Sequence, residues 1–233
     1  MLGSSANSTW AGSAGRQLQP VPNIENLRTF TEELGRVVSM THWQHGDCCN
    51  ALVADGGIAW VLFGTLRKCV FRANGRRRIL DLIMAGEFLT DDAGLFSFEV
   101  LTDGTLTGKI ARRDFNALAE RQPSLYRFLH ASTCQTIARL EDHILVLGRT
   151  RSARKVASYL ILMSRRLSAQ WDDGPLVLPV SRYDIADHVG IAVETVSRAI
   201  SELRRQGVIE LETPRHLVVK DLQKLANGAP DSR

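Results

Sequence analysis

The chain has 233 residues, of which 44% are hydrophobic, and this is enough to bury the cores of two modest domains. Its formal net charge of +4 comes from the C-terminal third, since residues 148–233 hold 14 Lys and Arg against 10 Asp and Glu, whereas residues 1–147 hold 15 of each. The absence of any run of about 18 apolar residues excludes a membrane-spanning helix. We therefore expect a cytoplasmic protein that has no membrane partner and whose C-terminal part suits an acidic partner.

The first 22 residues are rich in Ser, Gly and Ala and contain one charge, Arg16. Because they lack the continuous apolar core of a signal peptide, we predict a disordered leader over residues 1–22. Four cysteines follow, and none has the CxxC spacing of a zinc or cluster site. We predict reduced thiols, no metal and no cofactor. The cysteines are Cys48, Cys49, Cys69 and Cys134, of which the first two form the best redox candidate.

Residues 23–120 are predicted to form short strands separated by turns. The apolar stretches IAWVLF, KCVF and ILDLIM begin at Ile58, Lys68 and Ile79. Glycine supplies the positive φ that tight turns need, and turn spacings on the order of 11 to 18 residues suit a β-sandwich or jelly roll. The expected turn glycines are Gly46, Gly64, Gly75, Gly86 and Gly104.

Helix is expected to dominate from about Arg113, and residues 121–148 are assigned to one long dimerisation helix. This helix is predicted over Ser124–Leu147, with Pro123 at its start and Gly148 at its end. Four apolar residues recur in it at 3-4-3 spacing, which is typical of a coiled-coil seam. The stripe consists of Ile137, Leu140, Ile144 and Leu147.

The polar residues beside this stripe favour an interhelical contact. Arg139, Glu141 and Asp142 flank it, as charged residues do at the edges of a coiled coil. We therefore predict a homodimer. Packing of the stripe against the chain's own sheet is the alternative.

Residues 149–233 are predicted to form a winged helix-turn-helix domain. Its first helix covers roughly Ser152–Leu167, and a pair of helices follows between Ser181 and about Arg205. Val208–Val219 then gives two short strands around a Thr-Pro-Arg turn, which is the pattern of a wing.

The residues at the turn between the paired helices have the types that a helix-turn-helix needs. Ser181 is a good N-cap for the first helix. Ala186 is small enough to let the second helix approach, Gly190 permits the turn, and Val196 is an apolar wedge that holds the crossing angle. The second helix is predicted over Val193–Arg205 and would enter a major groove of double-stranded DNA.

The N-terminal residues of that helix meet base edges in such a complex. Glu194 can accept a hydrogen bond from a cytosine amino group, and Arg198 can donate two to guanine. Ser197 and Val193 are placed to contact a base or a thymine methyl. An i,i+4 ion pair between Glu194 and Arg198 is the alternative use of these side chains, and the two uses are compatible. The residues assigned to phosphates are Arg182, Thr195, Arg204, Arg205 and Arg215.

Three segments carry a resemblance to the CRP/FNR superfamily of bacterial transcription regulators, and most of all to its FixK branch. They are GTLRKCVFRANGRRRILDLIMAGEF (Gly64–Phe88), LVLGRTRSARKVASYL (Leu145–Leu160) and VSRYDIADHVGIAVETVSRAI (Val180–Ile200). The resemblance implies an α+β protein: a cyclic-nucleotide-binding-like β-roll (jelly roll) over residues 23–120, the long dimerisation helix, and a C-terminal winged helix-turn-helix.

The same resemblance implies a regulator, with an activator's contact to RNA polymerase, in microaerobic or nitrogen metabolism. The E-T-V-S-R segment matches the E-x-x-S-R readout of the family and is carried here by Glu194, Ser197 and Arg198. The implied target is a TTGAT-like half-site repeated as an inverted palindrome, which suits a two-fold dimer.

The sequence also departs from the family at the positions that sense signals. Members that bind cyclic AMP carry a Glu and an Arg-Ser pair after the GDF-like motif, whereas here the segment after Gly86-Glu87-Phe88 contains no Arg. We therefore expect no cyclic nucleotide. The leader has no cysteine for an iron–sulfur cluster. Ser197 stands where some FixK-type proteins have a redox-active cysteine.

Two other functions stay open from the sequence. A regulator gated by haem-bound gas or by redox state would use His42, His45, Cys48 and Cys49. A small-molecule-binding module or an enzyme is the third hypothesis, although no Ser/His/Asp set, P-loop or metal constellation supports it. For that class, Asp91-Asp92 is interpreted as loop and His188 as helix surface.

Overall fold

The computed structural model describes residues 24–71, 73, 75, 77–89, 94–168, 178, 180–211 and 217–227. The predicted leader over residues 1–22 and the Asp91-Asp92 pair therefore lie outside the described residues. None of the described helices is long and apolar enough to cross a membrane.

Two antiparallel sheets form the N-terminal domain, which confirms the predicted β-roll. The strands are β1 (Ser39–Trp43), β2 (Ile58–Phe63), β3 (Thr65–Phe71), β4 (Arg77–Met84), β5 (Phe88–Leu89), β6 (Ser97–Val100) and β7 (Thr105–Ile110). One sheet has the order β1-β7-β2-β5 and the other the order β4-β3-β6. Apolar side chains from both sheets, among them Val61, Leu66 and Phe98, form a buried cluster between them.

Glycines close the turns of this domain, as the sequence predicts. At the turn between β2 and β3, Gly64 has φ +91°, and a Cβ there would collide with the side chain of Thr105. Only glycine fits that conformation and that approach. Positive φ is found at all five predicted turn glycines, Gly46, Gly64, Gly75, Gly86 and Gly104.

A helix, α1 (Ile24–Leu34), precedes the first strand, and the prediction of strands alone over residues 23–120 is wrong here. Leu27, Phe30 and Leu34 lie three and four residues apart and are buried together. The Phe30 ring packs 5.4 Å from the indole of Trp60 on β2. The helix thus covers one face of the sheet, and its spacing of apolar residues was present in the sequence.

Helices follow the sheets from Arg112. Helix α2 (Arg112–Arg121) leads into α3 (Ser124–Leu147), whose bounds are those predicted. Leu125 is buried near the start of α3 in the cluster beneath α1, whereas Val146 is buried near its end in the cluster that the C-terminal domain shares with β4.

A buried group of four charged side chains joins β4 to the helices, and we call it the ionic cluster. It consists of Asp81, Glu87, Arg139 and Arg166. The Arg139 guanidinium lies 2.8 Å from Asp81 and 3.1 Å from Glu87, and Arg166 lies 2.9 Å from Glu87. Burial by itself would raise the pKa of Asp81, but the two guanidinium groups outweigh it and hold that pKa below its ordinary value.

The ionic cluster corrects one sequence interpretation. Arg139 was expected to flank an interhelical seam, but its side chain is only 14% exposed and pairs within its own chain. The helical periodicity of α3 places Arg139 beside the apolar stripe. It does not show that the carboxylates of Asp81 and Glu87 lie opposite the arginine.

The C-terminal domain packs against the outer face of β4. It contains α4 (Ser152–Ser168), α5 (Arg182–Val189), α6 (Val193–Arg205), β8 (Ile209–Leu211), β9 (Leu217–Val219) and α7 (Leu222–Asn227). Its apolar core is continuous with Ile79, Leu82 and Met84 of β4. The two domains therefore share buried surface and do not meet through a linker alone.

His188 lies inside this shared surface, so its assignment to helix surface is wrong. It is 4% exposed, and its ring packs 4.0 Å from that of His143 on α3. Burial and the neighbouring His143 lower the pKa of His188 to about 3. On a helical wheel of α5, His188 lies on the polar side. It is buried because α3 and β4 pack against it.

We predict that acid destabilises the protein well above the pKa of its carboxylates. Unfolding returns His188 to a pKa of about 6.5, so the unfolded chain binds a proton that the native chain excludes, which removes about 2 kcal/mol between pH 7 and pH 5. Asp81 and Asp184, whose pKa values are lowered, lose their stabilising effect only below about pH 4. Urea unfolding at the two pH values measures the difference.

His188→Gln should reduce this pH dependence, leaving the part due to His143, whose pKa is also lowered by burial. His42→Gln, on an exposed side chain of β1, is the control and should leave the dependence unchanged. An equal pH slope in wild type and His188→Gln would contradict the assignment.

Candidate nucleic-acid interface

Helix α5 begins with a reciprocal cap. The Asp184 amide donates to the Ser181 hydroxyl oxygen at 3.2 Å, and the Ser181 amide donates to the Asp184 carboxylate at 3.1 Å. This capping box satisfies two backbone N–H groups that the first turn leaves free. The predicted N-cap is confirmed, and the box fixes where α5 starts.

The turn after α5 depends on a left-handed residue. Gly190 has φ +70° and ψ +43°, and its amide donates to the Ala186 carbonyl at 2.9 Å. The Ile191 amide donates to the same carbonyl at 3.1 Å. Ala186 is 6% exposed, so a larger side chain there would push α5 away from its neighbours. Both residues occupy the positions that the sequence predicts for a helix-turn-helix.

Helix α6 presents one face to the core and the opposite face to solvent. Val196, the predicted wedge, is fully buried. The other inward side chains are Ala199, Ile200 and Leu203. Of the predicted base readers, Glu194 and Arg198 are exposed on the opposite face, whereas Val193 and Ser197 are half-buried at its edge.

Arg198 does not pair with Glu194 in the described part of the chain. Its Nη2 donates instead to the Thr195 hydroxyl at 3.4 Å, so the expected i,i+4 pair is replaced by an i,i+3 hydrogen bond. The contact is long and exposed, and it leaves most of the donors of the guanidinium group free. The Glu194 carboxylate is likewise left to meet another partner.

The residues assigned to phosphates have different surroundings. Arg204 is exposed, and Arg182 is half-buried in the first turn of α5. Arg205 forms an exposed ion pair with Glu202 at 2.7 Å, and a phosphate would have to compete with that carboxylate. Thr195 accepts the hydrogen bond from Arg198. Arg215 lies outside the described residues.

Ser201 lies on the same solvent face of α6 but was not among the residues predicted from the sequence. It is exposed and lies on the solvent face of α6, three residues after Arg198 and four after Ser197. The helical spacing from Ser197 was the signal that would have found it. A hydroxyl there extends the polar face by one turn toward the end of the helix.

The N-terminal domain contacts the helix-turn-helix directly, which the sequence did not predict. Arg67 on β3 donates to the Asp184 carboxylate at 2.6 Å, and Arg77 on β4 lies 3.6 Å from Asp187. Burial opposes ionisation of Asp184, but hydrogen bonds from Ser181 and the charge of Arg67 hold its pKa below the ordinary value. The Asp184 carboxylate therefore takes part in the capping box of α5 and also pairs with Arg67 on β3 of the N-terminal domain.

The C-terminal part of the chain matches a known domain family. Residues 154–227 match the family model described as the Crp-like helix-turn-helix domain. The chain is 34% identical to the nitrogen fixation regulation protein FixK of Bradyrhizobium diazoefficiens over 192 residues. The matched stretch covers 79% of this chain and 78% of that protein. The chain belongs to the CRP/FNR family of transcription regulators, in its FixK-like branch.

Other relatives of this FixK-like regulator agree in extent and in fold. The transcriptional activator protein FnrL of Cereibacter sphaeroides is 28% identical over 215 residues, which cover 88% of this chain and 87% of that protein. The solved structure of FixK2 from Bradyrhizobium japonicum matches with a TM-score of 0.70 at 29% identity, covering 82% of this chain and 96% of that chain. The resemblance drawn from the sequence is confirmed.

We predict that Gly190→Ala destabilises this FixK-like regulator by about 1–2 kcal/mol, because an L residue is strained at φ +70°. The new Cβ would also lie 2.8 Å from the guanidinium of Arg78 on β4. Gly148→Ala is the matched control, since its backbone is helical and a Cβ there meets nothing closer than 3.6 Å. Urea unfolding of both variants checks this, and equal free energies of unfolding would contradict it.

Proposed function

We propose that this protein is a homodimeric, sequence-specific transcription activator that binds TTGAT-like inverted palindromes in double-stranded DNA. It works in the cytoplasm, without a cyclic nucleotide, on genes of microaerobic or nitrogen metabolism, and contacts RNA polymerase once bound. The observation that carries the proposal is the solvent face of α6, where Glu194 and Arg198 stand one turn apart and free of each other. The name of one relative, the transcriptional activator protein FnrL, supports the activator role.

Base readout follows from the chemistry of these two side chains. A TTGAT half-site contains a single G·C pair, whose major-groove edge offers acceptors on guanine and an amino donor on cytosine. Arg198 supplies donors to the guanine, and Glu194 supplies the acceptor for the cytosine. Both readers therefore converge on one base pair. Ser197, Val193 and Ser201 face the neighbouring A·T pairs.

A second copy of the chain is the partner that suits α3. Ile137, Leu140 and Ile144 are 52%, 38% and 64% exposed, and Leu147 is half-buried. This exposure favours pairing over the alternative, which is packing of the stripe against the chain's own sheet. A continuous stripe of large apolar side chains is unfavourable in water. Pairing of two α3 helices would cover it and would place two α6 helices about one turn of DNA apart.

Operation without a cyclic nucleotide is supported by the residues after β4. Glu87 of the GDF-like motif accepts a hydrogen bond from the Met84 amide and pairs with Arg139 and Arg166. Its carboxylate is therefore committed to the fold. No Lys or Arg follows it before Lys109, so the segment offers no cation for a cyclic phosphate.

The redox-gated alternative receives less support from the thiols. Cys48 is exposed, but Cys49 is buried and its thiol donates to the Phe98 carbonyl at 3.5 Å. Burial raises the pKa of Cys49 to about 12, so its thiolate is scarce at neutral pH. His42 and His45, the other candidates, are exposed.

We predict that Arg198→Ala reduces discrimination at the G·C pair of the half-site. Wild type should prefer the TTGAT palindrome over one with that pair changed to A·T by about 5- to 150-fold per half-site, the equivalent of about 1–3 kcal/mol. Arg198→Ala should show a smaller preference, since only the contact of Glu194 with the cytosine remains at that pair. Fluorescence anisotropy with labelled duplexes at one fixed salt concentration measures this.

Arg204→Ala is the matched control for that experiment, because it removes an exposed guanidinium from the same helix. As a phosphate contact, Arg204 should affect both duplexes to the same extent. If Arg198→Ala keeps the preference of wild type, Arg198 does not read the guanine and the proposed readout is wrong.

We predict that Ile144→Glu converts the protein to a monomer and abolishes palindrome binding, because two carboxylates cannot be buried at the centre of a helix pair. Leu145→Glu is the control, since Leu145 is 45% exposed on the same helix but points away from the stripe. Analytical ultracentrifugation should show a dimer for the control and a monomer for Ile144→Glu. If both variants are dimers, the dimer interface does not lie at this stripe of α3.

A further inference from the structure

Three ion pairs cross the boundary between the two domains at α5, and we call them the α5 ion pairs. They are Arg67–Asp184, Arg77–Asp184 and Arg77–Asp187, with N–O distances of 2.6, 3.4 and 3.6 Å. Both arginines belong to the β-roll, Arg67 to β3 and Arg77 to β4. Both acids belong to α5, the helix that leads through the turn into α6.

The α5 ion pairs meet the helix at two separate points. Asp184 lies in the first turn of α5 and Asp187 lies three residues later, so the two points are about 4.5 Å apart along the helix axis. A third contact lies at the end of the helix, where a Cβ on Gly190 would be 2.8 Å from the Arg78 guanidinium. Contacts at the start, the middle and the end fix both the position and the direction of α5.

The α5 ion pairs also have a defined geometry. The side chains of Arg67 and Asp184 are 13% and 8% exposed, so salt and water screen their attraction little. Their distance of 2.6 Å is that of a short, charge-assisted hydrogen bond, which is directional. The apolar surface that the two domains also share is non-directional, and the ionic cluster holds α4. The α5 ion pairs therefore fix how α5 is turned relative to the β-roll.

A change in the direction of α5 moves α6 as well. Two backbone amides of the intervening turn donate to the Ala186 carbonyl of α5, and the two helices share one apolar core. In a dimer, the distance and rotation between the two α6 helices decide which separation of half-sites fits. One base pair more or less changes that separation by about 3.4 Å and rotates one half-site by about 35° around the DNA axis.

We propose that Arg67 and Arg77 are positioning residues that determine which spacing of the two half-sites the protein accepts. They act through Asp184 and Asp187, which hold α5, and with it α6, at one distance and one angle from the dimer axis. The arginines need no contact with DNA for this role. The inference rests on the proposed function, because it concerns the same homodimer and the same palindrome.

The test uses the full-length protein and a series of TTGAT palindromes whose half-sites are separated by increasing numbers of base pairs. Wild type should bind one spacing best. Adding or removing one base pair should weaken binding about 10- to 150-fold, because α6 reaches the new position only if a charge-assisted hydrogen bond breaks. Arg67→Gln/Arg77→Gln removes all three α5 ion pairs and should make this loss at least about 5-fold smaller. Fluorescence anisotropy at one fixed salt concentration measures both.

Glu99→Gln is the matched control for the double variant. Glu99 on β6 pairs with the same two arginines, but both of these pairs lie within the β-roll and do not reach α5. The control should therefore keep the spacing preference of wild type. A spacing preference as broad as that of the double variant would show that the arginines act by stabilising the β-roll, and it would overturn the proposal.

The base preference separates positioning from a general loss of structure. At its best spacing, the double variant should still prefer TTGAT over the half-site with its G·C pair changed to A·T, because Glu194 and Arg198 are untouched. Loss of the base preference together with the spacing preference would indicate a damaged α6 and would count against the proposal. Equal spacing preferences in wild type and the double variant would overturn it.

A milder variant covers the case in which the double variant does not fold. Arg77→Gln removes two of the three α5 ion pairs and leaves Arg67 on Asp184, and the Arg77 side chain is 29% exposed. It should broaden the spacing preference in the same direction, and an unchanged preference decides against the proposal. If wild type binds no palindrome at any spacing, the proposed function fails and this inference fails with it. If wild type binds palindromes of every spacing equally well, only this inference fails.

Discussion

The pairing of Asp81 and Glu87 with Arg139 and Arg166 is the interaction on which the arrangement of the two domains depends. One arginine comes from α3 and the other from α4, while both acids come from β4 and the turn after it. Removing one member of such a buried group leaves an uncompensated charge, which costs about 3–5 kcal/mol. The position of α4, and with it the whole helix-turn-helix, is therefore tied to the edge of the β-roll.

Much of the C-terminal domain could be predicted because its signals are local. The capping box at Ser181, the left-handed turn at Gly190 and the wedge at Val196 each act within a few residues of chain, so residue type and spacing carry them. The bounds of α6 and α3 follow from the same kind of signal. Helix α1 was not predicted, although its apolar residues have helical spacing, because the segments that follow it have the pattern of strands.

The contacts between distant segments could not be predicted in the same way. His188 and Arg139 look like surface residues on their own helices, and they are buried by segments that lie far away along the chain, among them β4. The pair of Arg67 and Asp184 joins residues 117 positions apart. The exposure of Glu194 and Arg198 could be predicted from the sequence, because the apolar face of α6 must turn toward the core.

Asp184 has two roles, as the cap of α5 and as the partner of Arg67 and Arg77, and this has a consequence for evolution. Loss of the carboxylate would leave Arg67, whose side chain is 13% exposed, with Glu99 of β6 as its one remaining acid among the described residues. A relative with Ser or Thr in place of Asp184 would keep the hydrogen bond from the backbone amide at this position to the Ser181 hydroxyl, but Arg67 would lose a carboxylate partner. Positions 67, 77, 99 and 184 should therefore vary together across the family, as one inherited unit that links strand and helix.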